Sequence, residues 1–211
     1  MTFIRTTHPD QATDATHAMY ERQQKRWGYV PNYARVFSHR PEVMEKWASL
    51  LACLKRNADA RRFELVTFAA ARALESSYCS LAHFRTLAKL LTEAELDFLV
   101  HGTGNDPFLP AEREVMRFAA KVVRGAARIS AGDVQVLHAH GLSDAEIFDI
   151  AATAAGRAFF ANLIEALGTE ADSTFLELPE DVRQALTVRR PIDFRDVARL
   201  PGMDQLGAAQ P

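Results

Sequence analysis

The chain has 211 residues, 48% of them hydrophobic, and a formal net charge of −2 from 25 basic and 27 acidic residues spread along its length. That size buries a substantial core in one domain, and the balanced charge provides neither the basic stripe of a nucleic-acid binder nor a membrane-binding face. Two cysteines, Cys53 and Cys79, are too few for a disulfide framework, so reduced thiols are the starting state. The first residues, Met1 to Pro9, lack the apolar core of a secretory signal. No apolar run is expected to reach the ~20 residues of a membrane span, which makes the cytoplasm the expected location.

Taken in order, residues 11 to 26 place Ala12, Ala15, Met19 and Gln23 at helical spacing, with Gly28 and Pro31 ending that helix and a short turn following. Pro41 suits a first helical position for a segment to about Lys55, where Val43, Met44, Trp47, Leu50, Leu51 and Leu54 form an apolar stripe. Cys53 rides on that helix and is expected in the core. Arg61 to Leu74 is apolar almost all round and should lie in the interior. A helix starting at Ser76 or Ser77 is expected to extend through Leu91, and Thr92 begins a short one broken by the glycines before Pro107.

Pro110 to about Arg124 is amphipathic, with Val115, Phe118, Ala119 and Val122 on one face. Ser130 caps a helix to Gly141. Ser143 and Glu146 then make a capping box for the longest one, which runs to Gly168 and carries apolar residues on more than one face. Pro179 opens a last short helix to about Val188, and the segment from Arg189 to Pro211 is expected to be an arm or partly disordered. No stretch alternates with period two, so the fold expected is all-α, in a single domain with that C-terminal extension.

The stretch from Glu75 to His83 carries the most chemistry. On a helix Cys79 and His83 stand at i and i+4 on one face. Ser76 or Ser77 makes a good N-cap, which leaves Cys79 in the first turn, where unpaired N–H groups and the helix dipole favour a thiolate. The thiol is therefore expected to be acidic and reactive. Glu64, on the preceding buried helix, would complete a Cys-His-Glu proton relay. His138 and His140, at i and i+2, point to different sides of a helix and do not suggest a metal site.

Glu64 followed by Ser76-x-x-Cys79-x-x-x-His83 resembles the carboxymuconolactone decarboxylase family, specifically its alkylhydroperoxidase AhpD-like branch, in which a Glu precedes Cys-x-x-Cys-x-x-x-His. Gly28-Tyr29-Val30-Pro31-Asn32, His39-Arg40-Pro41-Glu42 and Gly141 to Ile147 resemble the uncharacterised peroxidase-related subgroup, as does Ala166-Leu167-Gly168. The resemblance implies an AhpD-like helical bundle with no metal or other cofactor. It also implies a homo-oligomer acting as a thiol-dependent peroxidase, with Cys79 as peroxidatic cysteine, His83 as relay and Glu64 as proton acceptor. One departure is clear, since Ser76 stands where the family's first cysteine would be. The motif then has no disulfide of its own, and an external thiol reductant becomes a necessary partner. Tyr78 occupies a position where some members carry a second relay histidine. The alternatives are a decarboxylase-like lyase resting on His83 and Glu64, or an oligomeric binding protein without catalysis.

Overall fold

In the computed structural model, which describes residues 2–195, ten α-helices follow one another: α1 (Asp14–Trp27), α2 (Asn32–Val36), α3 (Pro41–Asn57), α4 (Ala60–Ala73), α5 (Ser77–Leu87), α6 (Glu93–His101), α7 (Pro110–Gly125), α8 (Ala131–Ala139), α9 (Asp144–Ala166) and α10 (Glu180–Leu186). Among the described residues there is no strand, only an isolated bridge between Ala171 and Ile192. The all-α expectation therefore holds, with α2 as a helix where only a turn was expected. The starts are set by side chains: Asp59, Thr92 and Ser143 each accept a backbone N–H of the first turn, and Thr92 with Glu95 and Ser143 with Glu146 close capping boxes. α5 stops at Leu87, one turn short of the expected end.

The core is organised on α4, which packs against α5, α7 and α9. Phe63, Leu65, Val66, Phe68, Ala70 and Ala71 are all buried there, matching its nearly continuous apolar sequence. α9 crosses the other side of this core and also meets α3. At Gly156 an added Cβ would come within 2.9 Å of Leu51 Cδ2, so a larger residue there would have to push the end of the Leu51 side chain aside. Trp47 fixes the crossing by donating its indole N–H to the Gly156 carbonyl at 2.8 Å.

One expectation needs correction. α9 is, by length and composition, long and apolar enough to cross a membrane, although the sequence suggested no such segment; its packing against α3, α4 and α7 is that of a core helix. Of the C-terminal arm expected over 189–211, residues 189–195 pack against the rest of the domain. Ala171 N–H donates to the Pro191 carbonyl and Asp193 N–H to the Ala171 carbonyl, Ile192 is buried, and Arg189 pairs with Glu75. Residues 196–211, the rest of that expectation, lie outside the described residues.

Candidate active site

The turn from α4 into α5 passes through Glu75, a non-glycine residue at φ 55°, which swings the chain so that Ser76 becomes the N-cap of α5. Ser76 Oγ accepts from the Cys79 N–H at 3.4 Å. The neighbouring Ser77 hydroxyl accepts from the N–H groups of Val188 and Arg189, tying the C-terminal segment to the start of this helix. The cap and the placement of Cys79 in the first turn are as expected from the sequence.

One turn further on, the His83 imidazole meets Glu64, with Nδ1 2.9 Å from Glu64 Oε2. The second carboxylate oxygen accepts from Lys55 Nζ at 3.1 Å. Burial pushes Glu64 up, but His83 and Lys55 outweigh it and hold the carboxyl at about 2. An ionised carboxylate can only accept, so Nδ1 carries the hydrogen and Nε2 is left as the basic nitrogen. Nε2 has no hydrogen-bond partner among the described residues. Burial and the nearby Arg157 charge lower the His83 pKa despite Glu64, so the ring rests neutral. The side chain of His83 is 15% exposed and that of Glu64 4%, which places the basic nitrogen near the surface and its orienting carboxylate beneath.

Cys79 differs from the expectation. It is 6% exposed, and burial pushes its thiol up to about 11, against the smaller opposing effects of Ser76 and Arg157. Burial outweighs the Ser76 hydrogen bond and the Arg157 charge, so the resting group is a thiol rather than a thiolate. No hydrogen bond joins Cys79 to His83 among the described residues. Cys53, expected in the core, is exposed on α3, and both cysteines are free. The stripe on α3 buries Met44, Leu51 and Leu54 instead.

Tyr78 turns away from the Glu64–His83 pair. Its hydroxyl donates to Asp172, and its ring meets Tyr33 and Phe175 edge-on. Asp172 also accepts from Tyr29 and from the Asn32 N–H, and burial raises it to about 6. This polar knot fastens α2 and the segment after α9 to α5; it is a positioning element, and sequence reasoning did not find it. Arg157 was also missed. Its guanidinium lies 5.5 Å from the Trp47 ring centroid and 5.6 Å from that of Phe63, the residue before Glu64. It acts electrostatically on Glu64, Cys79 and His83 together. Among the described residues no group of His, Cys, Asp and Glu is arranged to hold a metal ion.

A helical bundle with an oriented imidazole above a buried carboxylate, and a cysteine one turn before it, defines an AhpD-like fold. The chain superposes on the alkylhydroperoxidase AhpD core, an uncharacterised peroxidase-related protein, from Ralstonia eutropha JMP134 with a TM-score of 0.71 at 21% identity, covering 85% of this chain and 98% of that one. An uncharacterised peroxidase-related protein from Silicibacter sp. TM1040 gives 0.72 at 22% identity, covering 83% and 94%. A cysteine-to-alanine variant of the debrominase Bmp8, bound to 2,3,4-tribromopyrrole, gives 0.64 at 14% identity, covering 86% and 94%. No family model and no curated protein matches the sequence.

Proposed function

We propose that this protein is an AhpD-like thiol-dependent oxidoreductase of the carboxymuconolactone decarboxylase family that reduces a hydroperoxide at Cys79. The observation that carries the reading is the Glu64–His83 pair, which presents an unprotonated, unpartnered Nε2 one helical turn from the thiol. In the proposed cycle the Cys79 proton passes to His83 Nε2, directly or through a water molecule, and the thiolate attacks a peroxide oxygen. The O–O bond breaks, an S–O bond forms, and the departing alkoxide takes the proton back from Nε2, so the cysteine is oxidised by two electrons to a sulfenic acid and the peroxide is reduced to an alcohol. Ser76 offers no resolving thiol, so a first external thiol forms a mixed disulfide with release of water and a second frees Cys79.

A second reading rests on the raised thiol pKa. With Cys79 protonated at rest, Glu64 and His83 suffice for general acid–base chemistry of the decarboxylase-like kind, without any thiol step. Turnover of a hydroperoxide with dithiothreitol by the native protein, the Cys79→Ser variant and the His83→Ala variant separates the two. Loss in both variants supports the first reading. Activity on a lactone substrate that persists in Cys79→Ser but not in His83→Ala supports the second.

We place the protein in the cytoplasm as a homo-oligomer. The support for assembly is the outer stripe of α9, where Phe148 and Phe159 stand 68% and 47% exposed with Ala155 between them, beside an exposed Leu50 on α3. A monomer seldom leaves such a stripe in water. A monomeric mass by light scattering at micromolar concentration would contradict it.

A further inference from the structure

Most arginines that reach into this fold have a partner: Arg61 binds Glu95 and Glu112, Arg62 binds Glu146, and Arg72 donates to the Ala185 carbonyl. Among the described residues Arg157 makes no hydrogen bond or ion pair, and its Nε is buried without an acceptor. Among the described residues the guanidinium lies over the faces of Trp47 and Phe63. Ring faces attract a cation but accept none of its directed N–H bonds, so a half-buried guanidinium in this setting keeps an open valence for an anion.

The position of that opening matters. Trp47 is locked to Gly156, the residue before Arg157, so α3, α4 and α9 together hold the guanidinium over Phe63, the residue before Glu64, near enough for its charge to act on Glu64 and His83. Glu64 binds His83 with one oxygen and Lys55 with the other, and among the described residues no Glu64 oxygen lies within ion-pair distance of Arg157. Lys55 and Arg157 thus both bring positive charge to the site.

We propose that Arg157 is the substrate anchor of this site and that the substrate is a small organic acid whose carboxylate docks on the guanidinium, against Trp47 and Phe63, leaving its reactive end toward His83 Nε2. A carboxylate matches the planar fork of the guanidinium, and the aromatic walls suit a flat or apolar body. The proposal deepens the catalytic reading above and rests on it only for the identity of the reactive group.

The experiment is a binding titration with benzoate and with its neutral isostere benzamide, on the full chain. In a Trp27→Phe background the remaining indole is Trp47, beneath Arg157, so its fluorescence reports occupancy at this place. Benzoate should quench or shift that emission and bind about tenfold or more tightly than benzamide. Arg157→Gln should abolish the preference, and Arg157→Lys should retain part of it. Equal affinities of the two probes in the Trp27→Phe protein overturn the proposal without recourse to any Arg157 variant, as does an undiminished benzoate preference in a folded Arg157→Gln protein. Failure of the thiol reading would appear as unaltered turnover in Cys79→Ser, whereas failure of the anchor would appear as lost discrimination between the probes.

Discussion

Iodoacetamide added to the native protein at pH 7.5, with each cysteine followed by peptide mass, tests how the two thiols are housed. With Cys79 pushed up to about 11, its thiolate fraction at that pH is on the order of 3 × 10⁻⁴. An ordinary exposed thiol near 8.5 is about 9% thiolate, roughly 300-fold more. The more basic thiolate is intrinsically more nucleophilic and recovers about tenfold of this, which leaves a deficit of roughly 20- to 30-fold. Burial of the sulfur at 6% exposure adds steric exclusion. Cys53, exposed on α3, should therefore react at least about 20-fold faster than Cys79. The Cys79 rate should climb close to tenfold per pH unit while the protein remains folded. Equal or faster labelling of Cys79 would refute the reasoning and show that the thiol is already ionised at rest.

Glu64→Gln removes the acceptor that fixes the His83 tautomer, so peroxide turnover should fall by about 10²-fold, measured with dithiothreitol as reductant. The same variant tests linkage. Because the folded pKa lies below the ordinary value, the stabilisation is present above pH 4.5 and is lost as pH falls through about 2. Urea unfolding between those limits should show the native protein losing about 3 kcal/mol more than Glu64→Gln. Ser76→Cys puts a second thiol at i and i+3 from Cys79 and should close an intramolecular bridge on mild oxidation, seen as a two-hydrogen mass loss; two free thiols after oxidation would show that the motif is misregistered. The lost cap should cost on the order of 1 kcal/mol in thermal unfolding.

Much of this architecture can be read from local patterns. The cap at Ser76 and the burial of α4 follow from propensity and periodicity, both of which act within a few residues. The pairing of Glu64 with His83 came instead from the motif's resemblance to known proteins, since spacing alone cannot say that two helices bring these side chains together. The errors have one physical origin, which is tertiary cover. The position of Cys79 in the first turn of α5 is local, whereas the burial that raises its thiol comes from the helices packed around it. The stripe on α3 is real, but Cys53 sits just off its buried line. Arg157 could not be singled out in the sequence, because its setting over Trp47 and Phe63 depends on how α9 packs against α3 and α4. The Asp172 knot likewise joins residues from α2, α5 and the segment after α9, and no local spacing announces it.

The central claim is that Cys79 reduces peroxide with proton transfer through His83, and sulfenic-acid trapping tests it most directly. A Cys53→Ser protein is treated with one equivalent of hydroperoxide in the presence of dimedone and its peptides are weighed. The account predicts a dimedone adduct on the Cys79 peptide, greatly diminished in the same protein carrying His83→Ala and absent in Cys79→Ser. An unmodified Cys79 in the peroxide-treated Cys53→Ser protein, or an adduct that forms equally well without His83, would contradict it.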